Sequence, residues 1–156
     1  MHRRTLILII VAASVLMAIE PVGEIGRGII RRVLFVDDMA VCTRPYSISI
    51  LDASDIEQIR EIANIPLPGD IADEVVLNNG VMYVTFWPNG IRAYSVTDLN
   101  NIRLIGHLDA QQEGDSLWDI SHKGNALYVN SNNGTIIVDV SDPENMRYTG
   151  RIPQRG

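Results

Sequence analysis

The chain has 156 residues, enough for one domain. Its net charge of −6 is unevenly spread: residues 1–32 carry five arginines against two glutamates, and residues 33–156 carry 17 acids against eight bases. An acidic body argues against a partner met through its phosphates, so no nucleic acid is expected, and the single cysteine, Cys42, excludes an internal disulfide.

The first predicted element is an N-terminal hydrophobic helix. A basic start, Met1-His2-Arg3-Arg4, precedes Thr5 to Ile19, 15 residues without a charge that end at Glu20-Pro21. As a helix this run is about 22 Å long, short of a hydrocarbon core of about 30 Å. A basic start before a short apolar run has the form of an export signal. Leu16-Met17-Ala18 puts a bulky residue where cleavage wants a small one. Two readings therefore stand for residues 1–20: a signal peptide removed on export, or a retained membrane anchor touching the membrane through residues 5–19. Both imply an exported protein of the periplasm, cell surface or exterior. Residues 21–32 read as a linker, although Gly23–Arg32, with three glycines and three arginines, also reads as the start of the first blade's inner strand.

From Val33 onward the chain copies itself. Val96-Thr97-Asp98-Leu99-Asn100-Asn101-Ile102-Arg103-Leu104-Ile105-Gly106 returns as Val140-Ser141-Asp142-Pro143-Glu144-Asn145-Met146-Arg147-Tyr148-Thr149-Gly150, and a fainter copy runs from Ala53 to Ala63. Asp55 to Asp98 is 43 residues, and Asp98 to Asp142 is 44. A period of about 40–45 residues holding four short strands is that of propeller blades. The repeats span about 33–68, 69–113 and 114–156. The fold class is therefore all-β, with three four-stranded propeller-like repeats.

In the first repeat, Asp37-Asp38 turns the chain, Met39–Cys42 is strand two, Ile48–Asp52 strand three and Ile56–Ala63 strand four. In the second, strand one is about Asp73–Leu77. Asn78-Asn79-Gly80 supplies the positive φ angles of a tight hairpin. Val81–Phe86 is strand two, Trp87-Pro88-Asn89-Gly90 the next turn, Ile91–Val96 strand three and Ile102–His107 strand four. The third repeat follows the same plan with turns at Gly124-Asn125, Asn132-Asn133-Gly134 and Ser141-Asp142-Pro143-Glu144. Its offset from the second is 45 up to strand two and 44 beyond, so one residue is lost in a loop, where the change is cheap.

Gly134-Thr135-Ile136-Ile137-Val138-Asp139-Val140-Ser141-Asp142-Pro143-Glu144-Asn145 resembles the LVIVD-repeat family of β-propeller proteins, with strand three, its closing aspartate and the Ser-Asp-Pro turn. Ile91–Asp98 keeps the frame with Ser95 at the aspartate position, and Ile48-Ser49-Ile50-Leu51-Asp52 is the first copy. The resemblance covers about 120 residues. It implies an exported or surface-associated propeller with no established activity and no catalytic residue. Closed propellers need about four to eight blades, so three leave open sheet edges, which invite pairing. The expected partners are copies of this chain in a homo-oligomer, or another blade-bearing protein; the alternative is a truncated fragment of a larger propeller.

The candidate binding residues gather where the links between blades and the turns after strand two open. Asp70 and Asp115 lie in the links, and Glu74 and Asp119 at the starts of inner strands. Oxygen ligands recurring at a fixed offset suit a hard cation such as calcium; the competing reading has Asp70 and Asp115 capping turns. Otherwise no cofactor is expected. Trp87 and Trp118 offer faces for a sugar or a peptide aromatic, or else pack between blades. Asp52, Asp98, Asp139, Asp142 and Pro143 carry the repeat's turns, the aspartates by accepting backbone hydrogen bonds. Cys42 reads as a small buried hydrophobe, His107 and His122 lack a zinc-like spacing, and Asn133-Gly134-Thr135 fits a glycosylation acceptor. The function expected is a binding or assembly module without catalysis. The alternative is a metal-dependent propeller hydrolase or lactonase.

Overall fold

The computed structural model describes residues 29–87, 90–109 and 116–154. The expected N-terminal helix, Asp115 and the Pro88-Asn89 turn lie outside the described residues. The described chain is all-β and antiparallel, without an α-helix. Its strands are β1 (Arg32–Val36), β2 (Met39–Asp52), β3 (Arg60–Asn78), β4 (Val81–Trp87), β5 (Gly90–Ser95), β6 (Arg103–Leu108), β7 (Leu117–Lys123), β8 (Ala126–Ser131), β9 (Gly134–Asp139) and β10 (Arg147–Pro153). Strands β1 to β6 form one sheet in chain order, and β7 to β10 form a second.

The six-stranded sheet contains two repeats. β2 is too long to be one straight strand: 14 extended residues would span roughly 46 Å, yet its flanking residues meet, the Ala53 amide donating to the Asp38 carbonyl at 2.7 Å. β2 is therefore folded back on itself, with Tyr46 at φ +71° in the bend. The same bond closes the other repeats, Val96 N to Gly80 O at 2.9 Å and Val140 N to Asn125 O at 2.8 Å. β3 likewise carries two ladders. Arg60–Pro66 pairs with Ser47–Asp52, and Ile71–Asn78 pairs with Val81–Trp87. Gly69, at φ +84°, sits between them. Blade 1 is thus β1, the two arms of β2 and the start of β3. Blade 2 is the rest of β3 with β4 to β6, and blade 3 is β7 to β10.

One expected boundary moves. The strand placed at Ile56–Ala63 starts at Arg60, because Asp55 accepts the Glu57 amide at 2.9 Å and turns the chain first. Asp98 does the same with the Asn100 amide and Asp142 with the Glu144 amide. The residues before Arg60 thus form a side-chain-capped turn.

Each strand alternates its side chains between two faces, so blade 2 is buried twice. Met82, Val84 and Tyr94 pack toward blade 1 with Val41, Ile48 and Ile50. Tyr83, Ile91 and Ala93 pack toward blade 3 with Leu117, Leu127, Val129 and Val138. A smaller cluster of Ala40, Cys42 and Leu51 closes against Ala53 and Ile59 on the other face of blade 1. Burial raises the Cys42 thiol above its ordinary pKa, with Arg44 opposing.

Candidate functional site

Two equivalent positions on successive inner strands meet across the first blade junction. Asp73 and Glu74 stand opposite Thr85 at an irregularity in the β3–β4 ladder, where the register slips between Ala72 and Val75. The Glu74 amide donates to the Thr85 hydroxyl at 3.1 Å. Forty-two residues earlier, Arg31 and Arg32 hold the same two places in blade 1. Arg31 donates to Asp73 Oδ1 from Nε at 3.1 Å and from Nη2 at 2.8 Å, and Arg32 donates to Glu74. Thr43 Oγ1 adds a bond to the Asp73 carbonyl at 2.9 Å.

Forty-five residues later the same two places belong to Trp118 and Asp119, again at a slip in the ladder, between Leu117 and Asp119. The extra residue on the bulged strand turns Trp118 outward, and its ring is exposed. Asn130 donates to Asp119 Oδ2 at 3.1 Å while its own Oδ1 accepts the Thr135 hydroxyl at 2.8 Å. Trp118, Asn130, Thr135, Ile152 and Gln154 line an open groove of about 270 Å³.

Asp70, in the link from blade 1 to blade 2, accepts Arg92 Nη2 at 2.8 Å. The Arg92 guanidinium lies 4.3 Å from the centroid of the Phe86 ring, a cation–π contact. Burial pushes the Tyr94 phenol above its ordinary pKa, and the neighbouring Arg92 opposes the shift. Trp87 is exposed at the end of β4.

These contacts decide what the acids can do. Asp70 and Glu74 are each neutralised by an arginine, and Asp119 is held by an amide. Among the described residues no group of three His, Cys, Asp or Glu side chains is placed to hold a metal ion. The repeat aspartates act on their own backbone. Asp52 accepts the Ser54 amide at 3.1 Å and hydroxyl at 2.6 Å, and Asp139 accepts the Ser141 amide at 2.9 Å. Asp142 caps the 3-10 turn Pro143–Asn145. Hydrogen bonds from Ser54 and Arg60 hold the Asp52 carboxyl down at about 2. The Ser141 bonds lower Asp139, and Asn145 with the Glu144 amide lowers Asp142.

Arg31, Arg32, Arg92 and Asn130 were not singled out in the sequence. The signal for the first two was present in the 42-residue offset that lays Arg31-Arg32 over Asp73-Glu74. Equal spacing with opposite charge is the mark of a clasp between neighbouring repeats.

A fold of antiparallel four-stranded repeats stacked face to face defines a propeller-type repeat protein. Within it, residues 114–152 match the family model of the LVIVD repeat, the stretch that carries the resemblance seen in the sequence. No curated protein matches the chain. Among solved structures, the N-terminal domain of Nup159 is similar at 9% identity with a TM-score of 0.56, covering 78% of this chain and 34% of that one. A chain of an S. cerevisiae assembly of a Dbp5 variant with Nup159, a Gle1 variant, IP6 and ADP is similar at 9% identity with a TM-score of 0.54, covering 82% and 35%. The likeness is one of fold, and this chain spans about a third of the length of those it matches.

Proposed function

We propose that the chain is an exported binding or assembly module that works through the faces of its blades and performs no catalysis of its own. One observation carries this reading. The acids near the blade junction are spent on arginines, whereas large apolar side chains, Val33 and Phe35 on blade 1 and Trp118 with Ile152 on blade 3, stand exposed. Exposed apolar surface of this kind marks interaction sites. The basic start and apolar run of residues 1–19 support export, with the membrane met through residues 5–19 where the leader is kept.

The test uses the full chain expressed with its leader. Recovery of the chain outside the cytoplasm supports export; retention there in full sends that part of the reading down. Turnover of lactones and phosphoesters is then measured with and without calcium. No turnover is expected. Turnover abolished by Asp115→Asn and Asp119→Asn together would establish an enzyme in place of the module.

A further inference from the structure

The outer faces of the first and last described blades are the two halves of one junction, and we propose that they join: the outer face of blade 3 seats the outer face of blade 1 of a second copy, head to tail, closing a dimer of the six described blades. This rests on the module reading above and names its partner.

The repeat itself carries the argument. On blade 2, Val75 and Leu77 face blade 1, where Val75 is 5% exposed. Their counterparts on blade 3 and blade 1 diverge. Ile120 is 6% exposed against blade 2, but Val33 and Phe35, at the same places on blade 1, are 46% and 68% exposed. β1 thus shows apolar side chains at places that blades 2 and 3 bury, while Ala40, Cys42 and Leu51 on the same face of blade 1 are already closed in with Ala53 and Ile59. Conversely, blade 2 turns Tyr83, Ile91 and Leu108 to blade 3, the first two fully buried there. Their counterparts on blade 3 are Tyr128, Thr135 and Ile152, and the last two line the groove beside Trp118. That groove is the seat which blade 3 fills on blade 2, repeated one blade further on.

Charge agrees. Across the first junction Arg31 meets Asp73 and Arg32 meets Glu74. At a junction built the same way between copies, Trp118 and Asp119 of one chain meet Arg31 and Arg32 of the other. That pairs an acid with a base and an indole face with a guanidinium. The three described blades of two copies number six, inside the range in which propellers close, and those of three copies number nine, outside it. A head-to-tail contact that closes makes a ring with no free end.

The experiment measures the mass of the full chain in solution, with expected value twice the 17.3 kDa of one chain. Thr135→Arg puts a cation into the seat and Val33→Asp an acid onto the facing strand. Both positions are at least partly exposed in the single chain, so folding, checked by circular dichroism, is expected to persist. Each variant alone is expected to weaken the dimer by about a hundredfold. Ile152→Arg repeats the first test at a second residue of the groove. Mixed together, Thr135→Arg and Val33→Asp chains retain one intact junction per pair and are expected to form a mixed dimer, which an interface using the same patch on both copies would not do. A chain that stays at the mass of one copy at micromolar concentration overturns the proposal, as does a dimer indifferent to all three substitutions. Either result leaves the non-catalytic module standing with a different partner, whereas turnover would remove the module and leave the dimer untouched.

Discussion

Gly134 and Gly124 both occupy hairpin turns of blade 3 at positive φ, +115° and +57°, but they differ in what surrounds them. A Cβ on Gly124 meets nothing within 4 Å, whereas one on Gly134 runs into the backbone of Ile152, Pro153 and Gln154. Gly124→Ala carries only the left-handed strain, about 1–2 kcal/mol. Gly134→Ala adds a clash with backbone that cannot swing aside, and is expected to cost about 3 kcal/mol or more. Urea denaturation of the two variants separates them; equal losses would show that β10 yields at no cost. Asp52 offers a test in pH. Its carboxyl is held at about 2 in the folded chain against an ordinary 3.8. A depressed pKa contributes stability above the unfolded value, and this contribution is lost as pH falls from about 4 toward 2. The melting temperature of the wild-type chain is therefore expected to drop more steeply over that interval than that of Asp52→Asn, whose amide still accepts from Ser54 but does not titrate. Parallel curves would mean that the Ser54 and Arg60 bonds do not persist in solution.

At the scale of elements, two forces hold the blade junctions, and magnitudes rank them. Leu117 is fully buried between blades 2 and 3; Leu117→Ala removes buried methyl groups and leaves a void, an expected loss of about 2–5 kcal/mol. The Arg32–Glu74 pair joins blades 1 and 2, but the Arg32 side chain is 58% exposed. Exposed pairs contribute about 1 kcal/mol or less, so Arg32→Ala is expected to cost no more than that. Chemical denaturation of both variants checks the order, and a larger loss at Arg32 would make the clasp, not the apolar seat, the main bond between blades. The sequence carried the strands and turns that repeat well: Asn79-Gly80 and Gly124-Asn125 require left-handed backbone, and the apolar run Val81–Phe86 requires burial on both faces. It also carried the fold-back of β2, because the repeat alignment separates Met39–Cys42 from Ile48–Asp52 even though Arg44-Pro45-Tyr46-Ser47 lacks the glycine that marks the equivalent turn. It did not carry the slips at Asp73-Glu74 and Trp118, which depend on ladder geometry rather than residue type. The arginine partners of the candidate acids were hidden for a second reason. The contacts join residues 42 apart across a junction and 22 apart within blade 2, distances at which local pattern is silent.

For the molecule as a whole, stacked repeats hold their neighbours and little else, so stability is approximately a sum of blade and junction contributions. Blade 2 alone among the described blades has a packed neighbour on each face, and Met82, Tyr83, Val84, Thr85 and Phe86 of β4 are all buried. Opening β4 to solvent therefore breaks both junctions at once, while opening β1 or β10 breaks one sheet edge. Amide exchange tracks the free energy of such openings. In hydrogen exchange followed by mass spectrometry, peptides from β4 are expected to exchange slowest and those from β1 and β10 fastest when the chain is dilute. Raising the concentration separates the intrinsic gradient from pairing between copies. Association covers the free faces of blades 1 and 3, so protection at β1 and β9 rises with concentration while β4, already closed in by blades 1 and 3, does not change. A gradient that stays the same at every concentration would mean that the end faces remain open in solution. Protection of β1 equal to that of β4 even in dilute solution would mean that blade 1 is covered from within its own chain.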